Sequence, residues 1–162
     1  MIIFINGSIN AGKSTIAKLL AKELQNCAIV EIDTVRAMID WMLIDQSIPL
    51  NFENAVSLIK NFAKRGLSVI VPYPLSQKNH DFMVASLKDI NAEMYFFTLA
   101  PSIEKAQSDT ERRKLTDWER ERIKHHYEIG IPRPDFGEVI DTTNQTPEET
   151  TKFILEVLRR TR

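Results

Sequence analysis

Phe4-Ile5-Asn6-Gly7-Ser8-Ile9-Asn10-Ala11-Gly12-Lys13-Ser14-Thr15 is the stretch whose reading decides the fold. A glycine, four residues and then Gly-Lys-Ser let consecutive backbone amides turn inward around a phosphate, because glycine tolerates positive φ and close approach. Lys13 places a point charge at the β- and γ-phosphates, and Ser14 offers a hydroxyl to Mg²⁺. The helix that begins there aims its positive dipole end at the anion. The expected ligand is a nucleoside triphosphate, ATP with Mg²⁺. Its binding residues are Gly7, Asn10, Ala11, Gly12, Lys13, Ser14 and Thr15.

The flanking sequence suits this reading. Met1 to Asn6 is a short apolar run, the pattern of a strand buried on both faces at the centre of a parallel sheet. From Lys13 to Gln25 the residues Ile16, Ala17, Leu19, Leu20 and Leu24 recur at helical spacing opposite Lys18, Lys22 and Glu23, which predicts an amphipathic helix. Further strands are expected at Ala28 to Ile32, Leu67 to Val71, Met94 to Leu99 and Glu138 to Ile140. Helical segments lie between them, including a run from Val35 to Leu43. Two helix starts carry capping boxes, Thr116-Asp117-Trp118-Glu119 and Thr146-Pro147-Glu148-Glu149. Strands alternating with helices predict an α/β fold with right-handed crossovers and a parallel sheet covered on both faces.

The 162 residues read as one domain, 1–162. Lys and Arg total 21 against 22 Asp and Glu, so the charge balance gives no reason to expect nucleic acid or an anionic membrane as a partner. Cys27 is the only cysteine, and neither a disulfide nor a zinc site is expected. With no apolar run of membrane length, the expected setting is the cytoplasm.

Asp33 follows the second strand, and ligands of open parallel sheets bind beyond the carboxyl ends of the strands. A carboxylate there can take a proton from an acceptor hydroxyl or hold a Mg²⁺-bound water, and the position also suits a helix N-cap. Arg36, one turn on, shares its face and can bind a polar or anionic acceptor. Trp41, Trp118 and the phenylalanines read as core or lid packing. His125, His126 and Tyr127 lie near the end of the helix capped by Thr116, where they suit the dipole, and no chemistry is assigned to them. Arg120 and Arg122, inside that helix, read as a solvated face.

The loop, Asp33-Thr34-Val35-Arg36, the Arg112-Arg113 segment and Ile140 to Glu149 together resemble the P-loop small-molecule kinases, the group of shikimate kinase, gluconate kinase and chloramphenicol phosphotransferase. The resemblance implies a three-layer α/β/α P-loop NTPase fold, a five-stranded parallel sheet in the order 2-3-1-4-5, and a small lid at about 108–130. It also implies transfer of the ATP γ-phosphate to a small hydroxyl-bearing acceptor. In that setting Lys13, Asp33, Arg113 and Arg112 are the catalytic candidates, the two arginines reaching the transferring phosphate from the lid. The loop after the fifth strand packs against adenine, with Thr143, Asn144 and Pro147 as candidates. Ser14 and Asp33 are the metal candidates, since the third strand exits through Val71-Pro72-Tyr73-Pro74-Leu75-Ser76 with no carboxylate. The Pro-Tyr-Pro exit departs from the glycines of shikimate kinase, and Asp33, Arg36 and Tyr73 are the acceptor-binding candidates.

Two alternatives stand beside this reading. One is a nucleoside or nucleotide kinase. The other is a nucleotide-dependent switch with slow hydrolysis, against which the sequence offers no guanine-reading Asn-Lys-x-Asp.

Overall fold

The computed structural model describes residues 1–39, 41–110 and 113–161. Five parallel strands, β1 (Ile2–Gly7), β2 (Cys27–Ile29), β3 (Ser68–Pro72), β4 (Met94–Leu99) and β5 (Glu138–Ile140), lie in the order β2-β3-β1-β4-β5. The helices are α1 (Lys13–Glu23), α2 (Ile32–Arg36), α3 (Ile44–Ala63), α4 (Gln77–Leu87), α5 (Ile103–Ala106), α6 (Asp117–Glu128) and α7 (Pro147–Arg160).

The alternation of β1 builds the three layers. Ile2 and Phe4 join Val69, Val71, Phe52, Ile59 and Met83 under α3 and α4. Ile3 and Ile5 face the other way and join Ile16, Leu20, Phe97, Ile154 and Leu158 under α1 and α7. All four β1 side chains are fully buried, each contributing about 1.5–3 kcal/mol. The apolar strand therefore sits at the centre of the sheet, and its carboxyl end leads through buried Gly7 into the loop. Thr116 and Thr146 both form complete capping boxes, with Glu119 and Glu149 as partners.

Three local differences from the sequence reading bear on the site. The second strand ends at Ile29, and the following apolar residues open α2, with Ile32 buried on its inner face. Asp33 thus stands in the first turn of a helix whose N-cap is Glu31, and it is not itself the cap. Pro72 belongs to β3. Its neighbour Tyr73 donates to the carbonyl of Ile5, so strand alternation turns the donorless nitrogen of Pro72 toward the β2 side, beyond the end of that strand. The run from Val35 to Leu43 is a short α2, a 3-10 turn at Ala37–Ile39 and then α3. Trp41 and Trp118, read as packing residues, are 78% and 63% exposed. Cys27 is half-buried in β2, where burial pushes its thiol up.

A single polar side chain ties the carboxyl end of the sheet together. Asn6, fully buried in β1, donates to the Thr98 hydroxyl (3.0 Å) and to the Ile131 carbonyl (3.2 Å), and accepts the Leu75 amide (2.7 Å). It joins β4, the loop leaving β3 and the turn after α6 to the strand that carries the phosphate loop. Asn6→Leu leaves those three partners buried and unmatched, at a cost of roughly 3 kcal/mol or more. A fall in melting temperature of about 6–12 °C is expected for a chain of this size. Thermal unfolding followed by circular dichroism checks it.

Candidate nucleotide and phosphotransfer site

Gly7 has φ +140°, and a Cβ there would lie 2.7 Å from the carbonyl oxygen of Leu99 in β4, closer than any side chain is tolerated. Gly12, at φ +92°, is the N-cap of α1 and makes no side-chain cap hydrogen bond, an arrangement in which the first amides of a helix can receive an anion. Asn10, at φ 62°, accepts the left-handed conformation that asparagine tolerates, and its amide donates to the carbonyls of Ala106 (2.9 Å) and Ser108 (3.1 Å). The loop is thereby pinned to α5 and to the start of the segment read as a lid. Lys13 Nζ donates to the Ser8 carbonyl at 2.7 Å. Burial lowers the Lys13 ammonium to about 8, Asp33 opposes that shift and Arg113 adds to it.

A cavity of about 480 Å³ opens over this loop, walled by Gly12, Lys13, Ser14, Thr15, Asp33 and Arg113. Glycine, lysine, hydroxyl, carboxylate and guanidinium come from three separate stretches of chain and meet at one place. Arg113 also pairs with Glu119 of α6. Arg112, the other arginine candidate, lies outside the described residues. Arg36 and Tyr73 do not wall this cavity. The Tyr73 hydroxyl, pushed up by burial and then by Asp33, is pulled back by Arg122 and Arg36, so each of the three charged groups lies within electrostatic reach of Tyr73. Arg122, read as part of a solvated face, is exposed and lies within electrostatic reach of Tyr73. Arg120 has a structural duty, bonding Asp109 and the Gln107 carbonyl.

A second cavity, about 200 Å³, adjoins the first on the far side of the loop, walled by Ala11, Gly12, Thr15, Pro101, Thr142 and Pro147. Pro147, one of the adenine candidates, is on that wall. Thr143, another, is not among the lining residues: its hydroxyl accepts the Ser102 amide at 2.9 Å, and its neighbour Thr142 lines the cavity. The Thr142 hydroxyl is buried with no partner among the described residues.

No family model matches the chain, and no curated protein matches it in sequence. Solved structures do match in shape. The tunicamycin resistance protein of Deinococcus radiodurans superposes with a TM-score of 0.73 at 20% identity, covering 97% of this chain and 94% of its own. A sugar kinase from Janibacter sp. gives 0.74 at 18% identity, covering 98% and 94%. A gluconokinase from Sinorhizobium meliloti gives 0.69 at 20% identity, covering 98% and 91%. The fold is that of the P-loop kinases. At such identities the likeness is one of fold, and the chemistry has to be argued from the site.

The P-loop kinase fold sets the glycine loop at the centre of the sheet, and the residues around it fit a magnesium nucleotide. Among the described residues no group of three or more His, Cys, Asp or Glu side chains could hold a metal alone. The hydroxyls of Ser14, Thr15 and Thr110 and the carboxylates of Glu31 and Asp33 line the cavity, a sparse set of oxygen donors that suits an ion which keeps several waters and takes its remaining ligands from phosphates. No helix among the described residues is long and apolar enough to cross a membrane.

The sequence reading passed over His126. It is 5% exposed in the last turn of α6, and its Nδ1 shares a hydrogen bond of 3.3 Å with the hydroxyl of fully buried Ser8, inside the phosphate loop. Burial, then the cations Arg122, Lys13 and His125, lowers the imidazole to about 4 from 6.5. Between those values the unfolded chain binds a proton that the folded chain refuses, so stability falls as pH drops through the window. His126→Asn removes this contribution. The expected result is a flatter decline of melting temperature from about pH 7 to about pH 5 than in the unmodified protein.

Proposed function

We propose that the chain is an ATP-dependent phosphotransferase that moves the γ-phosphate to a hydroxyl of a small molecule. The observation that carries this is the convergence of Lys13, Ser14, Asp33 and Arg113 on one cavity, with a base-sized cavity on one side and the Tyr73, Arg36 and Arg122 cluster near Asp33. The triphosphate lies along the loop amides with its base against Pro147 and Thr142. Lys13 leaves the Ser8 carbonyl for the β- and γ-phosphates. Ser14 and, through water, Asp33 would hold Mg²⁺, which would supply neutralisation of the charge on the phosphates.

Asp33 also stands where an acceptor hydroxyl must approach, and as general base it takes the proton that the attacking oxygen gives up. Arg113, held by Glu119, directs its guanidinium at the phosphate in transfer, a contribution worth about 10³ to 10⁵ in rate in related chemistry. Arg112 is proposed as its auxiliary. Asp33, Arg36 and Tyr73 line the acceptor side, and the segment at about 108–130 acts as the lid. The similar structures named a sugar kinase and a gluconokinase favour a polyhydroxylated acceptor. With ATP as the proposed donor, the cytoplasm is the proposed setting.

The test is release of ADP with and without a panel of sugars, sugar acids, nucleosides and hydroxylated antibiotics. Turnover that depends on one acceptor class supports the reading. Slow hydrolysis indifferent to every acceptor would make the chain a nucleotide switch.

A further inference from the structure

The hydroxyl of Ser8 and the imidazole of His126 meet across 118 residues of sequence, and both are buried. Ser8 is the second residue of the phosphate loop. Its carbonyl accepts Lys13 Nζ at 2.7 Å and the Ala11 amide at 3.3 Å, so it is the point about which the loop closes. Its hydroxyl reaches the opposite way, to α6. That helix also carries Glu119, which holds Arg113, and Arg122, which lies within electrostatic reach of Tyr73. Its carboxyl end is fixed as well: the Ile131 amide donates to the His126 carbonyl at 2.9 Å, and the Ile131 carbonyl accepts from Asn6. His126 is therefore the side chain at which the helix bearing the arginines bonds directly to the loop bearing the lysine.

We propose that His126 is a positioning residue for the nucleotide, holding the first limb of the phosphate loop through Ser8 and coupling loop closure to the seating of α6. A phosphate that draws Lys13 to itself takes the ammonium off the Ser8 carbonyl, and the hydroxyl–imidazole bond is then the tie that keeps Ser8 in place. A neutral ring suits this role. A charged imidazole beside Lys13 would compete with it for the phosphates and add repulsion at the floor of the site, and burial among Arg122, Lys13 and His125 keeps the proton off. Loop amides fixed beforehand bind an anion without first losing their freedom, so the bond acts on affinity for the triphosphate more than on the chemical step.

The inference rests on the nucleotide reading above, and the experiment separates the two. ATP binding with Mg²⁺ is measured by calorimetry on the full chain and on His126→Phe, His126→Asn, Ser8→Ala and the Ser8→Ala/His126→Phe double variant, with melting temperature recorded for each. Phenylalanine keeps the ring volume and loses the bond, whereas asparagine places an amide near the position of Nδ1. The expected result is a Kd raised about five- to tenfold in His126→Phe and in Ser8→Ala, the loss of one buried hydrogen bond. No further rise is expected in the double variant, and His126→Asn should recover affinity even if its melting temperature is no better than that of His126→Phe. A KM for ATP that rises while kcat holds within about twofold makes the same point in turnover. Unchanged ATP affinity in His126→Phe, or effects that add in the double variant, would overturn the inference while leaving the nucleotide site standing. Unmodified protein that binds no ATP would remove the nucleotide reading itself.

Discussion

Lys13→Ala is expected to lower turnover by about 10² to 10³ or more, because it removes the one cation built into the loop floor where charge develops on the transferring phosphate. The fold should not suffer. The ammonium is held at about 8, below its ordinary 10.5, chiefly by burial. A base whose folded value is depressed binds fewer protons than it does in the unfolded chain, so near neutral pH the charged lysine works against stability. Removing it should leave the melting temperature unchanged or raise it. Steady-state kinetics and thermal unfolding of the same preparation check both halves. Lost activity with a lowered melting temperature would mean that Lys13 is a structural brace through the Ser8 carbonyl.

Asp33→Asn is the second large effect, a fall in kcat of about 10² to 10⁴ with the true acceptor, the range general-base catalysis supplies. Asparagine keeps the size of the group and its place in the first turn of α2, where the N-cap is Glu31, so helix loss cannot account for a drop. The two roles given to Asp33 respond differently to metal. Activity that returns as Mg²⁺ is raised marks a ligand of metal-bound water. A deficit that persists at saturating Mg²⁺, and lessens at higher pH as the acceptor hydroxyl ionises more readily, marks the base. Near-normal turnover under all these conditions would remove Asp33 from the mechanism.

What the sequence displayed and what it hid divide along one physical line. Features made by residues a few positions apart were legible: the Gly7 to Ser14 loop, the capping boxes at Thr116 and Thr146, the strands Met94–Leu99 and Glu138–Ile140. Even the strand order followed, once the loop had identified a likeness. The boundary after β2 was misplaced because Val30 and Ile32 are apolar and buried on either side of the turn into α2, and a short apolar run has no period that tells strand from helix.

The hidden features are contacts between distant residues. Ser8 with His126 and Asn6 with Ile131 span 118 and 125 positions and leave no local trace. Asn6 did carry a signal, a polar residue at the end of an apolar strand, which has to find partners wherever it is buried. Arg120 and Arg122 look alike in sequence. The structure pairs the first with Asp109 and leaves the second exposed within electrostatic reach of Tyr73, a distinction that only the docking of α6 decides. Thr142 lines the second cavity and Thr143 caps the turn into α5 for the same reason, since that wall is set by how the loop after β5 packs against α5.

The most direct test of the central claim follows the phosphorus atom. Phosphorus NMR of a reaction with ATP, Mg²⁺ and the acceptor selected from the panel should show the γ-phosphate resonance replaced by that of a phosphate monoester, in equal amount to the ADP formed. Lys13→Ala under the same conditions should form almost none. Inorganic phosphate as the sole new product, at a rate the acceptor does not change, would contradict the account and leave a nucleotide-binding protein that transfers nothing.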